Sequence, residues 1–406
     1  MTAPQPPREV TERRDAARAL LHSPFLTDGD ALPLVRRHAA ALKTTFATWL
    51  GYTLYVEPAF ARLIKTPLTA DAPTRPARRT AGGEFTPRTY VYLTLLSAAL
   101  LAPQTGEQIL VSALVEQVRA DAATAQVTLD DSYADQRHLL AAFRQLIGWG
   151  VLEETAGSVA EWSERREEAL LTIHRQMLPH LLARPLTYDD PMALLSAAPD
   201  VVEQPRRSLR RKLVENPLVR REDLTDAERD VLSRERTELT RVLDETFGLM
   251  LEVRAEGALA YDPDSEVTDL EFPGASTVRQ AALLTVDELL ARHTPKSGST
   301  ADVGGRAVPG VLCPWPEVGD VITGLSTRHG KAWGAEYVTD PARLQAEVVA
   351  TLTAFGLATG TDAGLVLHPA AARHRPTVSQ TPPRTRAQTR LIGDPDQVSL
   401  FDPETP

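Results

Sequence analysis

An eight-residue pattern, Gln145-Leu146-Ile147-Gly148-Trp149-Gly150-Val151-Leu152, returns 206 positions later as Thr351-Leu352-Thr353-Ala354-Phe355-Gly356-Leu357-Ala358. Leucine matches leucine, Trp149 matches Phe355, and Gly150 matches Gly356. An aromatic-glycine-apolar junction closes a helix: the glycine turns the chain, and the flanking side chains shut the core between helix and following hairpin. Before the first copy, Thr86-Pro87 opens a helix through Tyr90, Leu93, Leu96 and Leu100, with proline where its missing N–H costs nothing. A second helix is expected from Gly106 to Ala123. A third, Ser132–Trp149, carries Leu139, Leu140, Phe143, Leu146 and Ile147 on its inner face. The hairpin is then expected as Val151–Thr155, a turn at Ala156-Gly157, and Ser158–Trp162. Three short helices and a hairpin are the order of a winged helix-turn-helix. The second copy follows helices Thr277–His293 and Glu317–His329, separated by a Gly/Ser/Pro loop, Thr294–Pro309. Its hairpin is expected at Leu357–Thr359 and Leu365–Leu367.

The remaining chain is arranged around these two copies. Residues 1–80 read as an N-terminal helical and extended segment with a linker. A helix over Glu12–His22 stops at Ser23-Pro24, a second follows Asp28-Gly29-Asp30 and ends near Gly51, and Tyr52–Val56 alternates like a strand. Pro67–Gly83 has a linker composition. The first winged-helix domain is placed at 81–165 and the second at 276–374. Between them, 166–275 reads as mixed and helical, with helices at His174–Ala183 and Ala227–Gly248. A hairpin near Glu256-Gly257 there fits a further, divergent winged unit. Residues 375–406 are polar and proline-containing and are expected to be disordered. The expected fold class is mainly α with small β-hairpins: tandem winged-helix domains plus helical N-terminal and middle segments.

Composition narrows the function. The 406 residues are 43% hydrophobic, and the formal charge of −10 argues against a protein that coats nucleic acid indiscriminately. No apolar stretch approaches the ~20 residues a membrane helix needs, and the N-terminus lacks a signal-peptide core. Cys313 is the only cysteine, so neither a disulfide within the chain nor a cysteine metal cage can form. A cytoplasmic protein is expected. There is no phosphate loop around Gly330-Lys331, no nucleophile elbow at Gly324-Leu325-Ser326, and no HExxH among nine histidines. No catalytic residue, metal or cofactor is therefore expected. Two binding signals stand out. Arg206, Arg207, Arg210, Arg211 and Lys212 put five cations in seven residues, with Arg220 and Arg221 soon after. They read either as a phosphate-binding patch or as an arginine-rich surface loop paired with Glu215, Glu222 and Asp223. In the tail, Gln397, Leu400 and Phe401 of Gln397-Val398-Ser399-Leu400-Phe401 resemble the pentapeptide that docks on bacterial sliding clamps.

Several segments together resemble the MukE-like subunits of actinobacterial type II Wadjet plasmid-defence systems. They are Ala17–Leu26, Leu34-Val35-Arg36-Arg37-His38, Thr74–Arg78 with Phe85–Arg88, Leu146–Leu152, Arg210–Pro217, and Arg254–Gly257 with Tyr261-Asp262-Pro263. The resemblance spans about residues 13–374 and implies a tandem winged-helix kite protein. Such a protein sits on a kleisin-like subunit beside an SMC ATPase, is expected to dimerise, and touches DNA without reading its sequence, on the nucleoid. In such machines the SMC subunit extrudes DNA loops and a separate nuclease cuts small circles. A winged-helix transcription regulator is the rival, since the third helix offers Gln136, Arg137, Arg144 and Gln145 as base readers. A hydrolase or nuclease has no supporting motif.

Overall fold

Helix α1 (Arg8–His22) stops where Pro24 disfavours helix in the residue before it, and a two-residue strand, β1 (Phe25–Leu26), follows. Helices α2 (Ala31–Arg37) and α3 (Ala39–Trp49) then meet at His38. The stretch expected as one helix is thus two, broken at a residue with φ −103° and ψ 15°. Gly51, at φ +70°, releases the chain into β2 (Thr53–Val56), and β3 (Ala61–Ile64) returns between β1 and β2. Helix, strand, two helices and two strands, with the last strand central in an antiparallel sheet, is the winged-helix arrangement. The computed structural model describes residues 8–374 except 28, 67, 69–75, 80–82, 131, 183–203, 269–270, 295 and 297. The expected disordered tail and its Gln397, Leu400 and Phe401 lie outside the described residues.

The same order recurs three times. The second winged helix comprises α4 (Pro87–Leu101), β4 (Gln108–Leu110), α5 (Val111–Thr124), α6 (Tyr133–Gly148), β5 (Leu152–Ala156) and β6 (Leu170–Ile173), with sheet order β4-β6-β5. Here the expected hairpin is corrected. Ser158–Trp162 is not the return strand but the start of α7 (Val159–Arg165), whose N-cap Ser158 accepts from the Glu161 backbone N–H. The returning strand lies past residue 165, so the wing sheet crosses the boundary placed there. The third comprises α8 (Pro205–Glu215), β7 (Val219–Arg220), α9 (Asp226–Arg234), α10 (Arg236–Val242), β8 (Met250–Val253) and β9 (Gly257–Tyr261), in sheet order β7-β9-β8. One continuous helix over Ala227–Gly248 is replaced by α9, α10 and a π-helical turn at Leu243–Phe247. Likewise, the described residues of the expected helix His174–Ala183 form a 3₁₀ turn, Arg175–His180.

The fourth begins with α11 (Thr277–His293). The expected loop after it contains a hairpin, β10 (Thr300–Val303) and β11 (Arg306–Pro309), turning at Gly304-Gly305. Then come β12 (Val311–Pro314), α12 (Trp315–His329), α13 (Ala335–Thr339), α14 (Pro341–Ala354), β13 (Ala358–Gly360) and β14 (Gly364–Leu367), in sheet order β12-β14-β13. The protein is thus mainly helical with small antiparallel sheets. Gly150 and Gly356, which end α6 and α14, both take left-handed backbone, φ +67° and +68°. That is the conformation the repeated aromatic-glycine junction requires.

The chain divides into two compact units, 1–272 with 354–357, and 273–353 with 358–406. Within the former, the first and third winged helices share one core although the second lies between them in sequence. Leu20, Leu42 and Phe46 pack with Leu209, Leu213 and Phe247, and the Phe46 and Phe247 rings lie 6.0 Å apart. Arg18 crosses the same seam, donating to Asp262 Oδ2 at 2.9 Å and to the Phe247 carbonyl at 3.2 Å. The second winged helix has its own core around Leu96, Leu114, Phe143 and Leu171, joined by Phe25 and Phe60 of the first. In the other unit, Val286, Leu289, Val321, Leu325, Val348 and Leu352 are buried.

Candidate nucleic-acid interface

The cation run 206–212 lies on a helix, α8, and not on a surface loop. At 3.6 residues per turn its cations point in different directions, and only Arg206 is exposed. Arg206 Nε sits 2.5 Å from Glu235 Oε1. Arg207 Nε donates to the Thr48 carbonyl at 3.2 Å. The Arg210 guanidinium lies over the Trp49 ring, 4.0 Å from its centroid, and 3.7 Å from Glu235. Burial pulls its pKa below the ordinary arginine value, while Glu235 opposes the shift. Arg211 is buried and donates from Nη1 to the Leu50 carbonyl at 3.3 Å. Lys212 pairs at 2.8 Å with buried Glu228, which also accepts from the Thr225 N–H in a capping box. All five cations therefore tie α8 to α3, to the residues following it, or to α9 and its C-cap Glu235.

Arg220 is half-buried in β7. Burial lowers its pKa, and Asp223 and Glu222 oppose the shift. Arg221 alone of that pair is exposed. The cluster is thus largely engaged within the chain, its carboxylate partners including Glu228 and Glu235, and Arg206 and Arg221 are its exposed cations.

Helix α6 carries the side chains expected of a base reader. Its N-cap Ser132 accepts from the Asp135 N–H at 3.2 Å. Buried Asp135 in turn accepts from Arg88 Nε at 3.0 Å, Tyr92 Oη at 2.9 Å and the Asp130 N–H at 2.9 Å. The Arg88 guanidinium holds the Asp135 carboxyl far below the usual carboxylate range, against the opposing effect of burial. Burial, then Arg79, lowers the pKa of His138, which also meets Thr89 Oγ1 at 2.8 Å. On the outer face Arg137 and Arg144 are exposed with no carboxylate at ion-pair distance among the described residues, and Tyr133 is 78% exposed. Gln136 and Gln145 are half-buried. The wing beside this helix is strongly acidic, with Glu153 and Glu154 on β5 and Glu161, Glu164, Glu167 and Glu168 between β5 and β6.

Spacing in the sequence marks nothing at Arg36 and Lys43, yet both are exposed in the helix-turn-helix of the first winged helix. Regional charge is the signal that could have found them. Residues 8–65 hold nine Lys and Arg against six Asp and Glu, inside a chain of net charge −10.

The depressions beside α6, lined by Tyr92, Arg119, Gln136, Trp162 and Arg166, bring together no nucleophile–base pair. No cluster of His, Cys, Asp or Glu among the described residues could hold a metal ion. Burial and nearby Glu317 push the Cys313 thiol up to about 12, which makes it a poor nucleophile. No helix among the described residues is long and apolar enough to cross a membrane. No curated protein matches the chain. Residues 17–377, from within α1 through the fourth winged helix, match the family described as protein of unknown function (DUF2398), and the chain belongs to that family.

Proposed function

We propose that this chain is a non-catalytic, MukE-like kite subunit of a type II Wadjet machine. It sits on a kleisin-like subunit beside an SMC ATPase and lies against DNA on the nucleoid. The observation that carries this reading is the fourfold recurrence of a winged helix in one chain. Each winged helix offers a third helix and a wing as contact surfaces. Four in series give more faces than one operator half-site needs, which suits a part that bridges several partners. ATP hydrolysis and DNA cutting then fall to other subunits, while this one supports loop extrusion and plasmid restriction as a homodimer.

Co-expression with a kleisin-like and an SMC-like protein from one defence operon tests the proposal. The expected result is a stoichiometric complex on size exclusion, and loss of plasmid exclusion in cells when this gene alone is deleted. A chain that elutes alone, with plasmid exclusion intact in its absence, sinks the reading. A transcription regulator is the second reading, favoured by the exposed Arg137 and Arg144 on α6. Selection from a random duplex pool separates the two: enrichment of one motif supports the regulator. The six glutamates of the neighbouring wing work against it, because a phosphate backbone would be repelled there.

A further inference from the structure

Charge is distributed unevenly over the four winged helices. The second, over 87–181, has seven Lys and Arg against twelve Asp and Glu, and the third, over 204–268, has twelve against fifteen. The fourth, over 277–374, has eight against nine. Only the first is net positive, with nine against six. Their third helices differ in the same sense. On α10, Arg241 is held by Glu238 at 2.8 Å and also by Glu245. On α14, Arg343 is held by Glu347 at 3.0 Å and lies over the Tyr337 ring. Helix α6 carries exposed arginines, with no carboxylate at ion-pair distance among the described residues, beside an acidic wing. In the first winged helix the exposed cations Arg36, at the end of α2, and Lys43, one turn into α3, have no carboxylate partner among the described residues. Arg37 next to them is 57% exposed, with Nη1 2.8 Å from Glu12. At the far end of α3, Arg207 adds another cation at the Thr48 carbonyl. The wing loop between β2 and β3 carries a single charge, Glu57.

The solvent face of α3 consists of Ala40, Lys43, Thr44, Ala47 and Thr48. Nothing on it but the lysine is larger than threonine. A helix with its side chains is about 10–12 Å across and the B-form major groove about 12 Å wide, so the small side chains of α3 let it seat deeply. The face also lacks the Arg, Asn and Gln forks that read base edges. Deep seating with cations at both ends and no base reader gives affinity from phosphates alone.

We infer that the first winged helix is the chain's duplex-DNA contact: α3 enters the major groove, Arg36 and Lys43 neutralise flanking phosphates, and no sequence is read. This rests on the DNA-binding part of the proposed function and assigns it to one of four candidate faces. The test uses the full chain, alone and with its kleisin-like and SMC partners. Its affinity for fluorescent duplexes of several unrelated sequences is measured across a salt series.

The double variant R36E/K43E should weaken binding to every sequence alike. It should also flatten the slope of log affinity against log salt by roughly two units, because each lost phosphate contact removes about 0.9. The conservative pair R36K/K43R should keep the wild-type slope, and thermal melts of both should match wild type because the sites are exposed. Duplex RNA, whose A-form major groove is too narrow for a helix, should bind more weakly than DNA. An unchanged slope in R36E/K43E, with wild type still binding, overturns the assignment and spares the DNA-binding reading. So does a slope lost instead in R137E/R144E, which would move the contact to α6. Wild-type protein that holds no duplex in either form overturns both.

Discussion

Asp135 is the most heavily engaged carboxylate of the second winged helix, with Arg88, Tyr92 and the Asp130 N–H all donating to it while Ser132 caps its own N–H. Removing it leaves the Arg88 charge without its partner, and breaking a buried pair costs about 3 kcal/mol or more. Because Arg88 depresses its folded-state pKa, the stability it adds is present above the unfolded value near ~4 and is lost as pH falls toward the folded value. Asp135→Asn should therefore lower the unfolding midpoint in urea at pH 7. The gap to wild type should narrow steadily as pH is lowered from about 4 toward 2. A gap of constant size over that range would show that the carboxylate charge is not what stabilises the site.

At the level of elements, α8 shows how the cation run divides. Reversing Arg210 and Arg211 together would set one carboxylate against Trp49 and Glu235 and another against the Leu50 carbonyl. R210E/R211E should cost on the order of 3–5 kcal/mol of stability in chemical unfolding, whereas R206E should cost at most about 1 kcal/mol because its pair is exposed. Equal, small losses would return Arg210 and Arg211 to the pool of phosphate ligands.

The second and fourth winged helices were legible because each contains its own core, so its apolar spacing is complete within one stretch of chain. The first was not. Leu42 and Phe46 share their core with residues beyond 204, and its strand β1 has only two residues. Two misread segments did carry local signals: Ser158-x-x-Glu161 is a helix start, and Gly304-Gly305 between alternating runs is a hairpin turn. The engagement of Arg211 had no such signal, since its acceptor Leu50 is 161 positions away.

For the whole molecule, the shared core of the first and third winged helices makes a direct prediction. A protease site placed between residues 183 and 203 and cut in the folded protein should leave two pieces that stay together. The seam keeps its buried contacts from Leu20, Phe46, Leu209 and Phe247, and the Arg18–Asp262 pair spans it. The pieces should co-elute in buffer and part only in denaturant. Pieces that separate in buffer would mean that the core contributes too little to hold without the covalent link. The same insertion has a consequence for synthesis. The first sixty-odd residues leave the ribosome with an apolar face whose cover is encoded almost two hundred residues later. At about 5–20 residues per second that face waits roughly 10–40 s, long enough for the second winged helix to close on its own core. Nascent-chain chaperones would meet this protein at its beginning, and release from them would come only with the strand ending at Tyr261.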